Sequence, residues 1–176
     1  IYSAVYYYTD PEGCQGTDTI SFEVFELPSA EIIPVENICE DASPLTLDAI
    51  PTGGTWSGAV TMTGTFDPIL NGPGTYQAIY TFENAAGCSD ADTLEFSVAP
   101  LPMPSIAATG PFCENDTIQQ LSATPAGGIW SGAAASQGTI DPGNLGSGTH
   151  DVVYTFTTGE GCMASDTFSV EILALP

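Results

Sequence analysis

Five cysteines, at positions 14, 39, 88, 113 and 162, are the side chains with the widest chemical repertoire in this sequence. They could bind zinc, act as nucleophiles or form disulfides. Zinc sites draw on closely spaced Cys pairs or on Cys with His, but no CxxC is present and His150 is the sole histidine. Nucleophilic catalysis needs a base beside the nucleophile. Neither Ser57 nor Ser131 has a sequence-evident His or Lys to serve it, and the chain contains no Lys or Arg at all. Disulfides remain, and they imply an oxidising compartment.

Spacing supports that reading through an internal repeat. Gly53-Gly54-Thr55-Trp56-Ser57-Gly58 recurs as Gly127-Gly128-Ile129-Trp130-Ser131-Gly132, an offset of 74. Gly13-Cys14, Gly87-Cys88 and Gly161-Cys162 keep the same offset, as do Leu27-Pro28, Leu101-Pro102 and Leu175-Pro176. Residues 29–102 align with 103–176 without a gap, and 28 of the 74 positions are identical. The expected organisation is the tail of one repeat at 1–28 and two full repeats at 29–102 and 103–176. Fixed-period self-similarity is the mark of a tandem array.

Each repeat is patterned as strands. Thr75 to Phe82 is rich in β-branched and aromatic residues, and Leu94, Phe96 and Val98 alternate with polar neighbours from Thr93 to Val98. Glu83 to Gly87 supplies the turn between them. Leu45 and Leu47 mark an earlier strand. Gly53-Gly54, Asp67-Pro68 and Gly72-Pro73-Gly74 punctuate the rest. No sustained helical period is present. The predicted class is all-β, as tandem immunoglobulin-like antiparallel β-sandwich repeats of 74 residues.

Composition narrows the partners. Twenty-two Asp and Glu against no Lys or Arg give a net charge of −22, yet 43% of residues are hydrophobic, an ordinary share for a folded chain. Without cations to meet phosphate, nucleic acid and anionic membrane surfaces are excluded as partners. No apolar run reaches the ~20 residues of a membrane span.

Ile38-Cys39-Glu40, the GGTWSG segment, Gly64-Thr65-Phe66-Asp67-Pro68, Gly72-Pro73-Gly74-Thr75-Tyr76 and Asn84 to Asp90 resemble the immunoglobulin-like or PKD-like repeats of very large Bacteroidota surface proteins. Gliding-motility-type adhesins exported by the type IX system are among these. The resemblance implies an extracellular, cell-surface filament or stalk. Tyr76-Gln77-Ala78-Ile79-Tyr80 is similar to the penultimate strand of the immunoglobulin fold, where a Tyr two residues before a core Cys bonds backbone through its hydroxyl. Ala78, Val152 and Ala4 take the Cys place, Tyr76 and Tyr2 the corner, and His150 replaces Tyr76 in the last repeat. Trp56 and Trp130 are the expected core tryptophans.

The cysteine spacing of 49, from 39 to 88 and from 113 to 162, predicts the pairs Cys39–Cys88 and Cys113–Cys162, with Cys14 paired outside the sequence. Pairing across the linkers, as Cys14–Cys39 and Cys88–Cys113, is the alternative. A 49-residue loop would stabilise each repeat by ~4 kcal/mol in the chain-entropy model. Acidic residues near the cysteines, Glu40, Asp41, Asp90 and Asp92, are weak candidates for calcium; solvated charge is the competing account. Asp18-Thr19-Ile20, Asp92-Thr93-Leu94, Asp116-Thr117-Ile118 and Asp166-Thr167-Phe168 resemble the O-glycosylation signal of exported Bacteroidota proteins, which nominates Thr19, Thr93, Thr117 and Thr167. In the competing account Asp opens a strand and Thr fills it.

The expected role is a structural stalk that has neighbouring repeats as partners, transmits tension and displays a distal tip, with no catalysis and no cofactor. A carbohydrate- or calcium-binding module, or a spacer in a secreted enzyme, is the alternative. Leu27, Leu101 and Leu175 are expected to pack at the repeat boundaries.

Overall fold

A computed structural model describes every residue, Ile1–Pro176, and it is β-rich. An antiparallel hairpin leads, β1 (Tyr2–Thr9) with β2 (Gln15–Phe22), paired from Tyr2↔Phe22 to Thr9↔Gln15. Residues 29–102 then form β3 (Glu31–Ile32), β4 (Ile38–Cys39), β5 (Leu45–Thr46), β6 (Ala49–Ile50), β7 (Thr55–Gly58), β8 (Thr65–Phe66), α1 (Pro68–Asn71), β9 (Gly74–Glu83) and β10 (Ser89–Ala99). Residues 103–176 repeat that order as β11 (Ser105–Ile106), β12 (Phe112–Cys113), β13 (Gln119–Gln120), β14 (Ala123–Thr124), β15 (Ile129–Gly132), β16 (Thr139–Ile140), α2 (Pro142–Leu145), β17 (Gly148–Thr157) and β18 (Met163–Leu173).

Each half contains a curled four-stranded sheet, in the orders β4-β10-β9-β7 and β12-β18-β17-β15. Short ladders accompany them: β3 with β6 and β5 with β8, then β11 with β14 and β13 with β16. The sheets are mixed, which corrects the expectation of purely antiparallel pairing. β4 runs parallel to the end of β10 (Val98↔Ile38, Ala99↔Cys39), and β12 runs parallel to the end of β18 (Phe112↔Ile172, Cys113↔Leu173). The first segment of each half pairs with one ladder, then crosses through a Pro-containing stretch to the long hairpin and covers its open edge there.

The long strands follow their sequence pattern. Along β9, Tyr76, Ala78, Tyr80 and Phe82 turn inward while Thr75 and Gln77 stay exposed; along β10, Leu94, Phe96 and Val98 do the same. Asp67-Pro68 starts a helix of one turn: the Asp67 carboxylate accepts from the amides of Ile69 (3.0 Å) and Leu70 (3.3 Å), and Pro68 sits at its first position. Asp141-Pro142 starts α2 in a related way, the Asp141 carboxylate accepting from the Asn144 amide (3.3 Å) and Pro142 sitting at its first position.

The chain divides into two compact units. The first, Ile1–Pro34, Thr46–Thr65 and Gln77–Leu94, buries Ile32, Ala49 and Tyr80, with Ala30, Trp56, Phe82 and Leu94 packed against them. The second, Val35–Leu45, Phe66–Tyr76 and Glu95–Pro176, has a larger core of Ile106, Leu121, Ala134, Ile140, Val152, Tyr154 and Val170. It also contains an aromatic trio in which Phe66 lies 4.9 Å from both Tyr76 and Phe96, edge-on to the latter.

Tyr80 and Tyr154 organise their surroundings alike. Tyr80 faces Trp56 across the β7–β9 pair and Tyr154 faces Trp130 across β15–β17, each with ring centroids 4.8 Å apart. Both tyrosines are 2% exposed, so their hydroxyls must find partners inside the protein. Tyr80 donates to the Pro51 carbonyl and accepts from the Gly54 amide (2.7 Å); Tyr154 donates to Pro125 (2.6 Å) and accepts from Gly128 (2.6 Å). This clasp explains the second glycine of the repeated motif. A Cβ on Gly54 would collide with the Thr81 carbonyl and lie 2.6 Å from the Tyr80 ring. Trp56 is half-buried between Tyr80 and Gly64, where a Cβ would come within 2.9 Å of the indole.

Tyr80→Phe leaves a backbone amide and a carbonyl without their partner, so a loss of about 1–3 kcal/mol is expected in denaturant unfolding. Gly54→Ala adds a steric clash and is expected to cost more. A Tyr80→Phe chain as stable as the parent would show that the clasp contributes nothing.

Candidate functional site

The chemistry-bearing residues gather at strand ends. In the second unit Cys39 is bonded to Cys162, with Cα atoms 5.5 Å apart and 123 residues between them in sequence. Cys14, Cys88 and Cys113 are free thiols. The expected pairs Cys39–Cys88 and Cys113–Cys162 are therefore not formed, and neither is the linker pairing Cys14–Cys39 or Cys88–Cys113. Strand direction gives the reason. Cys113 lies opposite Leu173, at the end of β18, whereas Cys162 lies just before the start of that strand. Eleven residues of strand at ~3.3 Å each separate the two ends by about 36 Å, far beyond the reach of a disulfide. β4 is held against the end of β10 in the same way, through Ala99↔Cys39. The bond that forms joins the start of one repeat to the hairpin of the next.

Three of the four carboxylates considered for calcium accept from backbone amides. Asp90 accepts from the Ala30 amide and Asp92 from the Ile32 amide, both at 2.8 Å, and Asp92 also accepts from the Thr93 amide at 2.8 Å. These aspartates occupy the inward-facing phase of β10 ahead of Leu94, Phe96 and Val98, and they latch the first strand of the repeat to its last. Asp166 latches Ile106 at 2.8 Å in the second repeat. The position equivalent to Ala30 is Pro104, which has no N–H to donate, and the matching acid is absent: Ala164 stands where Asp90 does. Glu40 accepts from the Leu101 amide at 3.3 Å, and Asp41 is exposed. No three His, Cys, Asp or Glu side chains converge on a metal-sized site.

Glu114, the counterpart of Glu40, accepts from the Ser147 amide at 2.7 Å. The Ser147 hydroxyl and amide hold its carboxyl below the usual glutamate value. Such a contact contributes above the ordinary glutamate range and is lost as pH falls through the lowered value.

The four threonines nominated for glycosylation, Thr19, Thr93, Thr117 and Thr167, are all exposed. Thr19, Thr93 and Thr167 lie on hairpin strands; Thr117 follows Asp116, whose carboxylate accepts from the Cys113 amide at 2.8 Å. The structure thus gives the aspartates of these triplets backbone partners. Tyr76 donates to the Asn71 (2.7 Å) and Gly72 (2.9 Å) carbonyls, and His150 Nε2 lies 2.9 Å from the Gly146 carbonyl, so both residues make the backbone contact expected at the corner. Tyr2 is exposed and stacks on Phe22 at 5.9 Å instead. Leu27 and Leu175 are exposed, 76% and 51%, and only Leu101 is half-buried. The expected leucine packing is therefore not the boundary contact; Leu101 is held through its amide, by Glu40.

A cleft of about 220 Å³ lies over Asp48, Thr52, Gly54, Trp56, Thr63 and Tyr80 in the first unit. The Trp56–Tyr80 packing and the Tyr80 clasp occupy its aromatic side. Sequence patterning missed Tyr80 and Tyr154 as the organising residues, although their fixed distance of 26 positions from Gly54 and Gly128 was available. Comparison with protein-family models and with characterised proteins finds no match to this chain.

Asp92→Ala removes the acceptor for two amides, one of them on the first strand of the repeat. A loss of about 1.5–3 kcal/mol is expected, with faster hydrogen exchange at the Ile32 amide; unchanged exchange there would refute the latch. In an NMR titration the Ser147 amide should follow Glu114 with a midpoint below the ordinary glutamate value, and a midpoint at or above that value would contradict the contact.

Proposed function

We infer that this chain is a load-bearing spacer of an extracellular surface protein, built from immunoglobulin-like sandwich repeats and without catalytic activity. The observation that carries this reading is the Cys39–Cys162 bond, because it ties consecutive repeats to each other. A protein that must only keep each repeat folded gains from closing a loop within it. One that must transmit force gains from a covalent path between repeats. The Pro100-Leu101-Pro102-Met103-Pro104 linker lies between the two bonded cysteines, so the disulfide takes tension off it.

Several features support the sandwich assignment: the β4-β10-β9-β7 order, the short ladders beside it, the hydroxyl-to-backbone contact of Tyr76 and the buried Ala78 and Val152. A disulfide also accords with an oxidising, extracellular setting. The resemblance to Bacteroidota adhesin repeats makes a filament or stalk at the cell surface the natural context, with glycans on the exposed Thr19, Thr93, Thr117 and Thr167 as a hydrated cover over strand edges. A ligand-binding role for Trp56 fits less well, since its indole is held between Tyr80 and Gly64.

Force spectroscopy on the whole chain, pulled from its termini, tests this. With the disulfide intact, the 123-residue separation is bridged and stays out of the load path. Adding reductant should lengthen the fully extended chain by about 430 Å, at ~3.5 Å per residue. Equal contour lengths with and without reductant would remove the tension-bearing role.

A further inference from the structure

The cysteines fall into two sets defined by place in the repeat. Cys39 and Cys113 end the strand that runs parallel beside the last one, opposite Ala99 and Leu173 respectively. Cys14, Cys88 and Cys162 close the tip of the long hairpin. The hairpin set is held in one way throughout: the Cys amide donates to the side-chain oxygen four residues earlier, Asp10 (2.8 Å), Asn84 (3.0 Å) or Thr158 (3.2 Å). The amide of that same earlier residue donates back to the Cys carbonyl at 2.9, 2.9 and 2.8 Å. Three tips thus present a cysteine sulfur from equivalent backbone, although only Cys162 is bonded and buried, at 1% exposure, while Cys88 is half-buried and Cys14 exposed.

The one bond formed sets a rule: a strand-end cysteine takes the hairpin cysteine 123 residues later, one repeat on. Applied to Cys113, the rule calls for a hairpin cysteine in a repeat directly following Pro176. Applied to Cys88, it calls for a strand-end cysteine in a repeat directly preceding. Neither can satisfy it with the other, because Cys88 precedes Cys113 by 25 residues and their order is reversed.

We propose that Cys113 and Cys88 are cross-link sites for further copies of this 74-residue repeat. Cys113 takes the hairpin thiol of a following copy, and Cys88 the strand-end thiol of a preceding one. The proposal deepens the spacer reading and rests on it for the presence of adjoining repeats. The products are interlocked rungs, since Cys113 lies inside the loop closed by Cys39–Cys162. Between the hairpin cysteine of one rung and the next strand-end cysteine the backbone runs 25 residues, as from Cys14 to Cys39 and from Cys88 to Cys113. Formation requires a disulfide oxidant. One thiolate attacks it and the second resolves the mixed disulfide, so two protein thiols lose two electrons and two protons while the oxidant is reduced to two thiols.

The test appends one further copy of residues 103–176 directly after Pro176 and oxidises the chain with glutathione disulfide. The present chain has three free thiols. The extended chain should still alkylate at three positions, although it carries two more cysteines, and non-reducing peptide mapping should join Cys113 to the appended copy of Cys162. Cys113→Ser in that chain should free the appended hairpin thiol and leave Cys39–Cys162 intact. Alkylation at five positions would overturn the proposal, as would a Cys113 link to Cys88 or Cys162, or an appended thiol that stays bonded when Cys113 is Ser. A rung that forms in a chain whose repeats unfold at the same pulling force with and without reductant would uphold the cross-link and remove the load-bearing role, so the two can fail separately.

Discussion

Burying a phenol without stranding its hydroxyl is the constraint on which each repeat is built. Tyr80 and Tyr154 are almost fully buried, so each hydroxyl takes an amide and a carbonyl from the turn ahead of the tryptophan strand. That turn must come within hydrogen-bond distance of the ring, which only glycine at 54 and 128 permits. The same approach sets Trp56 and Trp130 opposite the tyrosines, and the indoles in turn require Gly64 and Gly138 above them. The repeated glycine-rich motif is therefore accounted for by one satisfied hydroxyl and the packing it imposes.

The second constraint is the edge of the long hairpin. β10 and β18 would each present an open row of backbone groups, and β4 and β12 cover their ends in parallel. This choice of direction decides the covalent chemistry. It carries the first cysteine of each repeat away from the hairpin cysteine of that repeat, and leaves the hairpin of the following repeat as the partner that Cys39 reaches. Fold topology and cross-linking pattern are thus one fact seen at two levels.

Much of this was legible in the residues. The 74-residue period, the long strands around Tyr80 and Phe96 and the turns follow from alternation, Gly and Pro placement and alignment of the repeats; the backbone contacts of Tyr76 and His150 were expected from the resemblance of that strand to the corner of the immunoglobulin fold. The disulfide was not legible, for a definite reason. Separations of 49 and 123 differ by one period of 74, so spacing in a tandem array gives the class of partner but not its repeat; only strand direction decides between them. The parallel course of β4 rests on two residue pairs, too short a run to leave a pattern. The Asp-Thr triplets were legible only in part, in a different way. A short signal for modification and an inward carboxylate ahead of an apolar strand look the same in sequence, and the latch became visible only with Ile32 and Ile106 in place.

The absence of Lys and Arg gives these latches their weight. With 22 acidic side chains and no cationic side chain but the single histidine to meet them, a carboxylate drawn toward the interior cannot be neutralised by an ordinary ion pair. Backbone amides are the donors that remain in quantity, and the partly buried acids use them: Asp90 and Asp92 on the first strand, Asp166 on its counterpart, Asp67 and Asp141 at the helix starts, Glu40 at the linker. A hydrogen bond from an amide to a carboxylate is stronger than one between neutral groups, and it stabilises a segment too short to form a full ladder. Short first strands and an all-acidic charged set are therefore compatible: the aspartates supply the acceptors that a longer partner strand would otherwise have provided. The exchange of Asp90 for Ala164 where Pro104 offers no amide follows the same logic, since an inward carboxylate is retained where a donor faces it and is missing where none does.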